Sequence, residues 1–250
     1  MYFKAIIIIL TSIGIIFAQN DRRQGQTIGF DKGYFSGSYN LYPSFIEKIN
    51  NEVKDFGVDE FDKNLFMYGG ELCGNMNPAF GIGIQYYFGN DLSQKIVELS
   101  YDTLTVELDR AVRYDVSFFG LIINYRKSLL GPIEFFGSLS ANYGSVELIL
   151  SQDRGDQSFG DMWSSFDPES ELDKRFNKSV SYNSDLYIFS ANNGIRFYAS
   201  SRIAVGITVG YSYGFVSDKG EINYEFESIK NVPDLDFKGM NYGLGVYFGY

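Results

Sequence analysis

Along much of this chain, large apolar residues alternate one for one with small or polar residues. In IAVGITVGYSYGF, the residues Ile203, Val205, Ile207, Val209, Tyr211, Tyr213 and Phe215 share one side of an extended chain, and Ala204, Gly206, Thr208, Gly210, Ser212 and Gly214 share the other. FGIGIQYYF sets Phe80, Ile82, Ile84, Tyr86 and Phe88 against Gly81, Gly83, Gln85 and Tyr87. The last residues, NYGLGVYFGY, place Tyr242, Leu244, Val246, Phe248 and Tyr250 opposite Gly243, Gly245, Tyr247 and Gly249. A period of two with one apolar face is the signal of a β-strand. Eight such strands are predicted, near 32–42, 65–76, 79–90, 113–127, 133–148, 183–199, 203–217 and 237–250. Short turns at 75–78, 129–132 and 199–202 alternate with long segments at 43–64, 91–112, 149–182 and 218–236. The third and fourth strands are expected to run on toward each other.

A water-soluble sheet turns its bulky apolar face inward and its charged face outward. Here the face opposite the apolar one is mainly glycine and serine, and the apolar face carries almost no acidic residue. Windows 43–64, 89–115, 151–181 and 217–238 hold 6, 6, 7 and 6 acidic residues, or 25 of the 31 in the chain. A charge on a lipid-facing position costs about 2–4 kcal/mol at mid-bilayer, so a lipid solvent selects for this segregation. The fold class that follows is all-β: a closed antiparallel up-and-down transmembrane barrel of eight strands. The bare face lines a narrow lumen. A ten-stranded barrel requires one more hairpin within 149–182. With an even strand number, both ends of the barrel lie on the short-turn, periplasmic side.

The first residues, MYFKAIIIILTSIGIIFAQN, combine Lys4, an apolar stretch from Ala5 to Phe17 and a small Ala18. The apolar stretch is too short for a spanning helix, so residues 1–18 read as a secretory signal peptide. A short periplasmic segment is expected over 19–31, with the barrel over 32–250. The C-terminus resembles the recognition signal of bacterial outer-membrane barrels, with Gly245, Phe248 and Tyr250 at the matching positions and Gly243 where a polar residue is usual. That resemblance implies the barrel assembly machinery as a partner and the bacterial outer membrane as the location. The strand layout over 32–250 is similar to small outer-membrane β-barrel proteins as a class.

Candidate chemistry is sparse. The chain has no histidine, the side chain best placed for proton transfer near neutral pH. Outer-membrane barrel enzymes, such as lipid A acylation enzymes, phospholipases and omptin-like proteases, resemble one another in relying on it. A non-enzymatic protein without cofactor or metal is therefore expected. A formal charge of −10 argues against nucleic acid as a partner. The single Cys73 reads as a small strand residue. GIG at 81–83 and GLG at 243–245 lie within period-two strands with no helix after them, so they read as lumen-facing rather than nucleotide-binding. The acidic run 153–173 lacks the spacing of a calcium loop and reads as solvated, and RGD at 154–156 is too short to assign.

PSFIEKINNEVKDFG, 43–57, is the one predicted helix, over 44–56. Ser44 and Glu47 form a capping-box pattern, and Phe45, Ile49, Val53 and Phe56 form an apolar stripe. Gly57 ends it. The stripe is expected to pack against neighbouring loop strands, with a lid over the barrel as the alternative.

Four charged residues have the phase of the lumen: Glu71, Arg126, Glu134 and Arg196. A turn centred near position 130 sets Arg126 directly opposite Glu134, so an ionic network is expected across the lower lumen. The interior of an eight-stranded barrel admits its own side chains or one small ligand. Two function classes follow. The first is a monomeric structural or surface-interaction protein, anchored in outer-membrane lipid, whose acidic loops meet an extracellular ligand. The second is a porin or transporter for small or apolar solutes.

Overall fold

The computed structural model describes residues 32–43, 49–101, 104–153, 178–217, 221–222 and 236–249. The strands are β1 (Gly33–Pro43), β2 (Asn64–Asn75), β3 (Phe80–Tyr101), β4 (Leu104–Leu130), β5 (Ile133–Asp153), β6 (Lys178–Tyr198), β7 (Ile203–Val216), a two-residue β8 (Glu221–Ile222) and β9 (Asp236–Gly249). Each pairs antiparallel with its neighbour, β9 closes against β1, and β8 attaches to β6 outside the ring. The barrel therefore has eight strands. The direct β5–β6 pairing leaves no place in the ring for the additional hairpin of a ten-stranded form.

The register defines the barrel's shape. Stepping across paired residues from Gly239 through Ser212, Ser190, Ser140, Ile122, Gly83, Cys73 and Tyr34 returns to β9 at Gly249, ten residues from the start. Such a stagger over eight strands tilts them by about 40° to the barrel axis.

The outward face is the apolar one. Ile84, Leu121, Leu139, Ile207 and Leu244 are each more than half exposed. This mid-height belt lies between two rows of aromatic rings. Paired residues Tyr39, Tyr68 and Phe88, and Phe119, Tyr143, Tyr187 and Phe215, form the upper row. Phe35, Phe80, Phe197 and Phe248 belong to the lower row, where Phe35 stacks on Phe248 at 5.0 Å. From Phe80 to Phe88 the belt is about 20 Å tall at this tilt, close to the apolar band of outer-membrane barrels. A closed ring leaves no strand edge unsatisfied in lipid. The protein spans the membrane in the manner of bacterial outer-membrane barrels.

Inward glycines make room for rings from the adjacent strand. A Cβ on Gly194 would meet the Phe136 ring at 2.5 Å, and one on Gly206 would meet the Tyr247 ring at 2.9 Å. Gly81, Gly83, Gly243 and Gly245 share this inward phase, as the alternation predicts.

Above the membrane the barrel becomes one-sided. β3 and β4 stay paired from Phe88 up to Tyr101 and Leu104, so the two strands run on toward each other through most of 91–112 as the sequence suggests. β5 follows to Asp153 and β6 begins at Lys178. These four strands form a wall that rises about 30 Å past the upper aromatic row.

A short helix, α1 (Asn50–Asp55), packs against this wall and the barrel mouth. It is shorter than the predicted 44–56, and residues 44–48, including Ser44, Phe45 and Glu47, lie outside the described residues. Its N-cap position is Ile49, without a side-chain cap bond. Gly57 ends it at φ 95°, a conformation that favours glycine. Asn50 holds the segment by donating to the Phe61 carbonyl at 3.0 Å and accepting from its N–H at 3.1 Å.

One predicted contact is corrected. Arg126 lies opposite Phe136, and Ser128 lies opposite Glu134. The pairing is irregular between Ser128 and Leu130, and Gly131 turns the chain at φ 53°. The hairpin therefore centres near 131 rather than 130, which shifts the partners by two residues on the same face.

Candidate functional site in the barrel lumen

The lumen is filled at three levels. At the extracellular mouth, Tyr42, Leu65, Met67, Tyr87, Val116 and Phe118 belong to one buried apolar cluster. Ile49, Val53, Val58 and Phe61 join that cluster from α1 and the segment after it. Of the predicted stripe, Ile49 and Val53 thus pack into this cluster with Phe56 against it, while Phe45 lies outside the described residues. Arg110 on β4 fastens the stripe, donating from Nη1 to the Phe56 carbonyl at 2.6 Å with its guanidinium 4.9 Å from the Phe56 ring.

At mid-height the inward residues are polar and tied to one another. Gln85 donates to Asn142 at 2.6 Å, Asn241 donates to Ser212 at 2.7 Å, and Ser212 and Ser190 share a bond of 2.8 Å. Ser38 and Tyr87 pair at 3.0 Å. This band encloses a cavity of about 20 Å³, room for little more than one water. Glu71, Asn40, Asn192 and Thr208 also line it.

At the periplasmic end lies a caged arginine. Arg196 is 1% exposed, and its guanidinium carbon sits 4.3 Å from the Tyr34 ring and 4.0 Å from each of the Phe136 and Tyr247 rings. Its Nη1 pairs with Glu134 Oε1 at 3.3 Å, and its Nη2 donates to the Tyr34 hydroxyl at 2.9 Å. Asn124 donates to the same hydroxyl at 2.7 Å and to Cys73 Sγ at 3.0 Å. With two donors aimed at its oxygen, Tyr34 sends its own hydrogen to Glu71 Oε2, 3.0 Å away. The cation is thus linked to one carboxylate directly and to the other through a phenol. Charge-assisted bonds of this kind are the strong class of hydrogen bond.

Of the four predicted lumen residues, the structure brings Glu134 and Arg196 into direct contact and joins Glu71 through Tyr34. Arg126 stands at the periplasmic rim, where its Nε donates to the Pro78 carbonyl at 2.9 Å. It faces Glu134 through space rather than across the ladder. The aromatic cage was missed in the sequence: Tyr34, Phe136 and Tyr247 have the inward phase, but they sit on three different strands. Cys73 is buried in the lumen.

Of the predicted assembly signal, Gly245 faces the lumen beneath the Tyr247 ring and Phe248 faces lipid. Tyr250 lies outside the described residues, as do 154–177, with the RGD sequence and most of the acidic run. Among the described residues, no group of three or more Cys, Asp or Glu side chains is placed to hold a metal ion.

No family model matches the sequence, and no curated protein matches it. Among solved structures, the chain is similar to the outer membrane protein OprG from Pseudomonas aeruginosa, with 13% identity, 89% of this chain and 98% of that chain covered, and a TM-score of 0.48. It is similar to Neisserial surface protein A, with 9% identity, 89% and 99% coverage, and a TM-score of 0.44. It is also similar to Ail, the attachment invasion locus protein of Yersinia pestis, with 14% identity, 87% and 99% coverage, and a TM-score of 0.32. That protein was solved with the heparin analogue sucrose octasulfate.

Proposed function

We propose that this protein is a closed, non-transporting outer-membrane barrel that acts by presenting its extracellular wall to a surface ligand. The observation that carries this reading is the filled lumen. A solute would have to displace an apolar mouth, a hydrogen-bonded polar band and a caged ion pair in succession. The wall formed by β3–β6 supplies the surface instead. Its outward face carries Asp115, Glu147 and Asp185 just above the upper aromatic row. The role is non-enzymatic, consistent with a chain that lacks histidine. The barrel is a monomer in lipid, inserted by the assembly machinery that reads its C-terminus.

The test is swelling of vesicles that contain the refolded protein, in isotonic arabinose, glycine or short alkanols. A closed barrel gives the rate of protein-free vesicles. Swelling that scales with protein content would establish transport instead. In parallel, replacing residues 93–112 with a two-residue turn should leave assembly intact and remove surface binding.

A further inference from the structure

The charge arrangement below the polar band leaves one carboxylate differently placed from the rest. Glu134 is held by Arg196 directly, and Arg126 adds its positive field from the periplasmic rim. Glu71 makes no ion pair within 4 Å among the described residues, and Arg196 reaches it only through the Tyr34 hydroxyl. Glu71 is half-buried, and a carboxylate held away from bulk water must be paired or neutralised. Glu71 also borders the mid-height cavity, and the other polar groups there are neutral oxygens and amides. Asn192 Oδ1, on the same cavity, is buried with no hydrogen-bond partner. The volume of about 20 Å³ accommodates one atom-sized occupant.

We propose that this cavity is a binding site for a single monovalent cation of the alkali-metal class, with Glu71 as the anionic ligand. Oxygen donors suit hard cations. Ser38, Thr208 and Asn192 line the same cavity with neutral polar side chains. One carboxylate among neutral oxygens balances one positive charge, and a cavity for one atom leaves no room for the waters that magnesium keeps. The proposal rests on the closed lumen argued above. Vesicle swelling reads passage and the experiment below reads equilibrium occupancy, so either can fail alone.

The experiment is equilibrium unfolding of the full-length refolded barrel in urea. Sodium, potassium or rubidium chloride is compared with tetramethylammonium chloride at matched ionic strength. For one ion bound only to the folded state, the folding constant rises about tenfold per tenfold rise in cation above the dissociation constant. Tetramethylammonium, too large for the cavity, gives no such rise. Glu71→Gln keeps the shape and an acceptor for Tyr34, and should fold while losing the cation dependence. Rubidium-soaked crystals should show one anomalous peak beside Glu71. Equal stability in all four salts would overturn the proposal and leave the cavity to water or to a proton on Glu71. Cation dependence that persists in Glu71→Gln would overturn it as well.

Discussion

Arg196→Met removes the caged charge and keeps an unbranched side chain among Tyr34, Phe136 and Tyr247. Glu134 then remains 2% exposed without the cation that meets it at 3.3 Å. Breaking a buried pair from one side costs about 3–5 kcal/mol. The lost cation–π contacts, up to about 2 kcal/mol each when desolvated, are offset in part by sulfur–aromatic contacts of about 0.3–1.5 kcal/mol. The net expectation is a loss of at least about 3–5 kcal/mol, or at least two to three and a half orders of magnitude in the folding constant. Pairing Arg196→Met with Glu134→Gln removes both charges. It should recover at least about 2 kcal/mol, since replacing a whole buried pair with neutral groups is often cost-free. Arg126→Met, at the exposed rim, should cost no more than about 1 kcal/mol. Urea titration in phospholipid vesicles, read by the gel mobility of folded and unfolded forms, measures the unaltered protein, the single variants Arg196→Met, Glu134→Gln and Arg126→Met, and the double variant. Equal costs for Arg126→Met and Arg196→Met would restore the hairpin pairing that the sequence suggests. Strict additivity of the two single changes would show that Arg196 and Glu134 are not coupled.

Further outcomes follow from the same contacts. Gly194→Ala should destabilise by about 1–3 kcal/mol, because its Cβ would press on the Phe136 ring and the Ile207 carbonyl. Gly37→Ala should be silent in the same titration, because nothing lies within 4 Å of its Cβ. Leu121→Lys, in the lipid belt, should cost about 2–4 kcal/mol in vesicles, and equal stability there would argue against that face meeting acyl chains. Asn50→Ala strips two hydrogen bonds from the Phe61 backbone. It should speed amide exchange across 49–61 while the exchange of β1–β7 is unchanged, and global unfolding instead would show that α1 is part of the barrel's core.

The strands were legible because lipid imposes a simple rule on them. Most outward positions are apolar, with Asn193 and a few glycines such as Gly37 and Gly137 as exceptions, and the period of two survives even where the inward face is glycine. Turn positions followed, since the short connections leave few residues to place. What the alternation does not contain is the height of one strand against the next. A shift of two residues keeps every side chain on its face, so the pattern in 113–148 fits Arg126 opposite Glu134 as well as opposite Phe136. The irregularity between Ser128 and Leu130 decides between them. The cage around Arg196 was hidden for a related reason. Its rings come from β1, β5 and β9, and only the stagger of the closed ring brings them to one level. The continuation of β3 and β4 toward each other was legible, but its length was not, because polar residues such as Asn90, Asp91, Ser93 and Gln94 interrupt the apolar run once the strand leaves lipid.

A closed lumen carries no steady ionic current, and single-barrel recording in a planar lipid bilayer reads that current one molecule at a time. In concentrated potassium chloride, with insertion confirmed by recovering folded protein from the membrane, the account predicts a flat baseline at either polarity. Destabilising the cage by Arg196→Met should produce only brief, irregular openings. Stable, uniform current steps from the unaltered protein would contradict the account and identify a pore.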